Sequence, residues 1–122
     1  MESQANYQPV REHQRFKAKQ RALLLFPQVS DALPYHIIDI SKGGLSFRYL
    51  GNKLKRSETC TISLYHEFDL IVDSLPVDEI SDYRLRDNLV PVRRGSISFG
   101  DLNPEQLDQL TAFIQKYADT SH

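Results

Sequence analysis

The chain has 122 residues, 40% hydrophobic and 25% charged, with a formal net charge of −1. That is enough for one domain with its own core, and it argues against a disordered chain or a globally basic nucleic-acid binder. The lone Cys60 excludes an intrachain disulfide and favours a reducing compartment. No apolar run approaches the roughly 20 residues that cross a bilayer, and Met1–Asn6 lacks the basic-then-apolar order of a secretion signal. The expectation is a cytoplasmic protein without membrane insertion.

The first twenty residues are polar. Between Arg11 and Arg21 the cations Arg11, Arg15, Lys17, Lys19 and Arg21 face Glu12 alone, so positive charge gathers near one end. Short apolar runs then alternate with turn residues. Arg21–Phe26 reads as a strand closed by Pro27, and Tyr35–Ile40 as a second, rich in β-branched residues. Ser41-Lys42-Gly43-Gly44 reads as a tight turn. Leu45–Leu50 alternates, with Leu45, Phe47 and Tyr49 on one face. Cys60, Ile62 and Leu64 alternate with Thr61, Ser63 and Tyr65, which makes Cys60 a small core residue of a half-buried strand. Phe68–Val72 continues that pair across a tip at His66-Glu67. Ile80–Leu85 and Val90–Phe99 are further strands, with Ile97 and Phe99 sharing a face.

At Asn103 the pattern changes. Asn103 is a good N-cap, Pro104 suits the first helical position and Gln106 the third. Leu107, Leu110, Ile114 and Tyr117, with Phe113 beside them, form an apolar stripe at helical spacing. Short strands recurring with turns between them point to a barrel or sandwich, and the expectation is a mainly β fold of five to seven antiparallel strands followed by one helix that packs on it. As one domain it divides into a flexible basic arm over residues 1–20, a barrel over 21–102 and a helix over 103–118.

Catalytic chemistry finds little support. His13, His36, His66 and His122 are not paired at metal-ligand spacing, and with only Cys60 a zinc site is not expected. His36 lies mid-strand and reads as a structural histidine. Gly43-Gly44 stands alone, without the remainder of a phosphate loop. No catalytic residue, metal or cofactor is assigned, and the chain is not expected to be an enzyme.

Two elements remain. Arg11-Glu12-His13-Gln14-Arg15 is an R-x-x-x-R just ahead of the first strand, and Asp39-Ile40-Ser41-Lys42-Gly43-Gly44 is a D-x-S-x-x-G at a turn between strands. In order and separation they resemble the two motifs of the PilZ family. Ile37–Phe47 resembles that family's central hairpin, Arg94–Phe99 its late strand, and Leu102–Gln106 its barrel-to-helix junction. The resemblance implies a small antiparallel six-stranded (split) β-barrel with a C-terminal α-helix. It also implies a receptor for cyclic di-GMP, with Arg11, Arg15, Asp39, Ser41 and Gly44 as ligand contacts. The ligand would reshape the surface that a downstream protein partner reads, in control of motility, polysaccharide or adhesion, with the receptor a monomer or dimer.

The chemistry suits such a ligand, which carries two phosphates and two guanines. An arginine fork matches phosphate oxygens or a guanine edge bidentately. Aspartate accepts from guanine N–H groups, Ser41 can donate, and Gly44 keeps the turn tight. The bland alternative is a turn in which Asp39 and Ser41 merely cap backbone amides. Val10 stands where many members of the family carry another arginine, and Arg15 to Lys19 offers a second register. Lys19, Arg21, Lys42 and Arg94 are left open as further contacts. The competing functions are a PilZ-like adaptor that binds no nucleotide, and a barrel that stacks single-stranded nucleic acid on Phe47 and Tyr49. The resemblance, by contrast, implies no DNA or RNA partner.

Overall fold

The computed structural model describes residues 14–30, 32–86 and 91–119. Seven strands and one helix follow in chain order. They are β1 (Phe16–Lys17), β2 (Ala22–Leu25), β3 (Tyr35–Ile40), β4 (Gly44–Leu50), β5 (Thr61–His66), β6 (Asp69–Arg86), β7 (Val92–Phe99) and α1 (Pro104–Tyr117), with a short 3-10 turn at Arg56–Glu58 between β4 and β5. The sheet runs β1-β3-β2-β5-β6-β7-β4, and β4 also pairs with β3, which closes six strands into an antiparallel barrel. Closure leaves those six without a free edge. β1 is the seventh strand, laid along β3 with Phe16 opposite Ile40 and Lys17 opposite Asp39.

Alternation in the strands builds the core. Leu45, Phe47 and Tyr49 of β4 point inward, as do Ile62 and Leu64 of β5, Leu24 of β2 and Ile97 of β7, all buried. Each such side chain stabilises the fold by about 1.5–3 kcal/mol through burial. Phe26, Tyr35, Phe47 and Tyr49 form a continuous ring cluster with centroid separations from 4.9 to 6.1 Å. At one end of the barrel Tyr49 Oη donates to Asp82 Oδ2, and Arg93 Nε donates to Asp82 Oδ1 at 2.9 Å.

The helix forms as its sequence predicts. Asn103 Oδ1 accepts from the Gln106 amide at 2.8 Å, and Gln106 Oε1 accepts from the Asn103 amide at 2.9 Å. Leu110, Phe113 and Ile114 are buried against the barrel, whereas Leu107 is substantially exposed. Tyr117 stacks on His66 at 4.4 Å.

Two sequence expectations need correction. Cys60 is exposed, because β5 starts at Thr61 and Cys60 stays outside the alternation. The runs read at Phe68–Val72 and Ile80–Leu85 are not separate strands: Phe68 lies in the turn, and Asp69–Val72 and Ile80–Leu85 are parts of the 18-residue β6. Its first stretch pairs with β5 as far as Pro76, and from Val77 it pairs with β7. Ser74, at φ 55°, and the register shifts bend it between the two ladders.

Candidate functional site

The turn between β3 and β4 is built by its own sequence. Ser41 is 3% exposed. Its Oγ accepts from the amides of Gly43 and Gly44 at 3.1 and 3.2 Å and donates to the Gly44 carbonyl at 3.2 Å. The Ser41 amide donates to the same carbonyl at 2.8 Å. Gly44 is required by proximity to β7, since a Cβ there would lie 2.1 Å from the Ile97 carbonyl oxygen. The capping role of Ser41 is therefore realised, and its single proton is directed into the turn.

Asp39 and Arg15 come together because β1 runs beside β3. The Ala18 amide donates to the Ile38 carbonyl at 2.9 Å, which fixes the segment that follows Arg15. Arg15 Nη1 then donates to Asp39 Oδ1 at 2.7 Å, with the two side chains 28% and 24% exposed. Arg94 joins them from β7, its Nη2 lying 3.6 Å from Asp39 Oδ2 and donating to Ser46 Oγ at 3.3 Å. One carboxylate thus sits between two guanidiniums, leaving an excess positive charge at a half-buried surface. Arg11 and His13 lie outside the described residues.

The register sets out the rest of this outer face. Cross-strand partners project to the same side, so Asp39, Ser46, Ser96 and Ser81 form one row across β3, β4, β7 and β6. His36, Arg48, Arg94 and Tyr83 form the row beside it, and Gly44, Ser98 and Glu79 flank the other side. Arg15, Glu79, Ser81, Ser96 and Ser98 line an open depression of about 310 Å³. The face offers guanidinium and hydroxyl donors, carboxylate acceptors and one exposed aromatic ring, Tyr83.

The cations left open by sequence separate cleanly. Lys19 Nζ donates to the Lys116 carbonyl near the end of α1 at 3.3 Å, and Arg21 pairs with Glu67 at 3.2 Å. Lys42 is exposed in the turn. Of these four, only Arg94 contacts the Asp39 cluster. Phe47 and Tyr49 are buried inside the barrel, so neither is available to stack on nucleic-acid bases. Ser46, Ser96 and Tyr83 went unassigned in the sequence. The signal was the outward half of the alternation that marked Leu45, Phe47 and Ile97 as core. Among the described residues no group of His, Cys, Asp or Glu is arranged to hold a metal ion, and no helix is long and apolar enough to cross a membrane.

No known family's sequence model matches the chain, and no curated protein matches it. Solved structures do. The PilZ domain of YcgR from Escherichia coli with c-di-GMP is 20% identical at a TM-score of 0.56, covering 88% of this chain and 90% of that one. YcgR of Escherichia coli in complex with c-di-GMP is 18% identical at a TM-score of 0.59, covering 87% of this chain and 45% of that one. The c-di-GMP complex of MrkH from K. pneumonia is 14% identical at a TM-score of 0.56, covering 88% of this chain and 52% of that one. The chain spans about half the length of those two longer proteins. The fold is that of a PilZ domain.

Proposed function

We propose that the chain is a receptor domain for cyclic di-GMP, bound on the outer face of β3, β4 and β7, and that it acts by binding and not by catalysis. The observation that carries this reading is the Arg15–Asp39–Arg94 cluster beside the Ser41–Gly44 turn. It sets Arg15 of the first motif against Asp39 of the second, on a fold whose solved neighbours include c-di-GMP complexes.

The chemistry follows from valence. Arginine carries five N–H donors, and Arg15 spends one on Asp39, so the others remain for a phosphate. Arg94 supplies a second cation on the same side. Asp39 keeps unfilled acceptor sites for guanine N–H groups, which adenine does not present in the same pattern. Ser41 and Gly44 shape the turn and let the ligand approach, and Arg11 extends the set from the arm. Binding would draw the arm onto the barrel and alter the surface that a partner protein meets.

Calorimetric titration with cyclic di-GMP, cyclic di-AMP and GMP tests the reading. Wild type is expected to bind cyclic di-GMP selectively, and Arg15→Ala to lose at least about tenfold, the scale of one charge-assisted hydrogen bond. Asp39→Asn should lose the preference for guanine over adenine more than it loses affinity. Equal responses to all three nucleotides would overturn the proposal, and no response to any would favour an adaptor working only through protein contacts.

A further inference from the structure

At the end of the barrel marked by Tyr49, a cleft of about 630 Å³ opens between the β2–β3 connection and the ends of β4, β6 and β7. Its walls include Leu33, Leu50 and Leu85, which are 72%, 64% and 45% exposed. Exposed leucines gathered in one place differ from leucines scattered singly, because a contiguous apolar surface in water marks a binding site. Tyr35 and Tyr49, stacked at 4.9 Å, also line it. The volume falls in the range of small-molecule sites, roughly 300–1,000 Å³.

Among the described residues the polar complement of the cleft has one sign. His36 and Arg48 line it, and among the described residues no acidic side chain does. They are opposite one another in the β3–β4 ladder, so they share one edge of the opening. Arg48 is exposed and, unlike Arg15, Arg93 and Arg94, has no carboxylate partner among the described residues. Its unspent donors stand beside apolar walls. That pairing complements a molecule with one anionic head and an apolar body.

We propose that this cleft, at the Leu50 end of the outer face and away from the Ser41–Gly44 turn, is a second binding site, for an amphipathic carboxylate with an aliphatic tail. The tail lies among Leu33, Leu50 and Leu85, and Arg48 receives the carboxylate. Such a ligand differs from a cyclic dinucleotide in both shape and polarity. The site therefore does not depend on the function proposed above.

Amide chemical shifts followed by NMR during titration of the full chain with octanoate, octanol and octyltrimethylammonium provide the test. Octanoate should shift the amides of Tyr35, His36, Arg48 and Leu50 saturably, and bind about fivefold tighter than octanol, the scale of an exposed ion pair. The cationic analogue should bind more weakly than either. Arg48→Gln should bring octanoate down to the affinity of octanol, and Leu50→Asp should abolish both without changing the nucleotide titration. Four outcomes would overturn the proposal: shifts dispersed over the whole surface, equal affinity for the anionic and cationic probes, an Arg48→Gln variant that keeps the preference, or cleft shifts that depend on protein concentration alone. The last would assign the cleft to a second copy of the chain.

Discussion

Ser41 illustrates how one residue type can serve a turn and a ligand site at once. Its Oγ satisfies two backbone amides in a buried setting, so Ser41→Ala leaves both without that acceptor. The expected loss is about 1–3 kcal/mol of folding stability, read from urea denaturation without ligand. A loss of nucleotide affinity in that variant would then arise largely from a distorted turn, and restored binding in Ser41→Thr would fit that account. An unchanged denaturation midpoint would instead leave direct ligand contact as its main role. The site was legible to different degrees at this scale. Asp39 and Arg15 stand out by motif, because their types and spacing are unusual together. Arg94 carries no local mark, and only the β4–β7 ladder puts it near Asp39.

Among the elements, β3, β4 and α1 were the most readable, β4 and α1 because each carries an uninterrupted period and β3 because it is rich in β-branched residues despite a register shift at Ile37–Asp39. Tyr35–Ile40 forms as read, Leu45–Leu50 gains only Gly44, and the helix starts at its capping box. β6 was not readable as one strand. Pro76, Ser74 and a change of partner from β5 to β7 interrupt its alternation, and turn chemistry within a bent strand looks locally like the end of a strand. The cap of α1 can be tested separately. Asn103→Ala removes the acceptor for the Gln106 amide, which should cost about 1 kcal/mol and lower the melting temperature by about 4 °C. Calorimetric melting of the variant measures it, and nucleotide affinity should not change.

At the scale of the whole barrel, the Tyr49–Asp82–Arg93 group ties β4, β6 and β7 together at one end. Burial, then the hydrogen bond to Asp82, raises the Tyr49 hydroxyl above the usual tyrosine range. The folded state therefore holds this proton more tightly than the unfolded chain, whose tyrosines ionise near about pH 10. The resulting stability is fully present below that pH and is lost as pH rises through the folded value. Urea denaturation from pH 8 to pH 11 should show a decline at the alkaline end. Tyr49→Phe should remove part of that slope, and an unaltered slope would place its origin elsewhere.

The seam between the start and the finish of the chain gives the fold a built-in reporter. The Lys19 amide donates to the Tyr117 carbonyl at 2.9 Å, and the Asp119 amide to the Lys17 carbonyl at 2.7 Å, so the two-residue strand that follows Arg15 is stitched to the last turn of the helix. Immobilising the Arg15 guanidinium is expected to quiet that stitch, two residues along the chain. Deuterium uptake at Lys19 and Asp119 should accordingly slow when a ligand occupies the outer face, although neither amide touches it. Tyr117→Ala removes the ring stacked on His66 and so loosens the end of the helix that carries the stitch; weaker ligand affinity in that variant, read by the same titration, is the expected result.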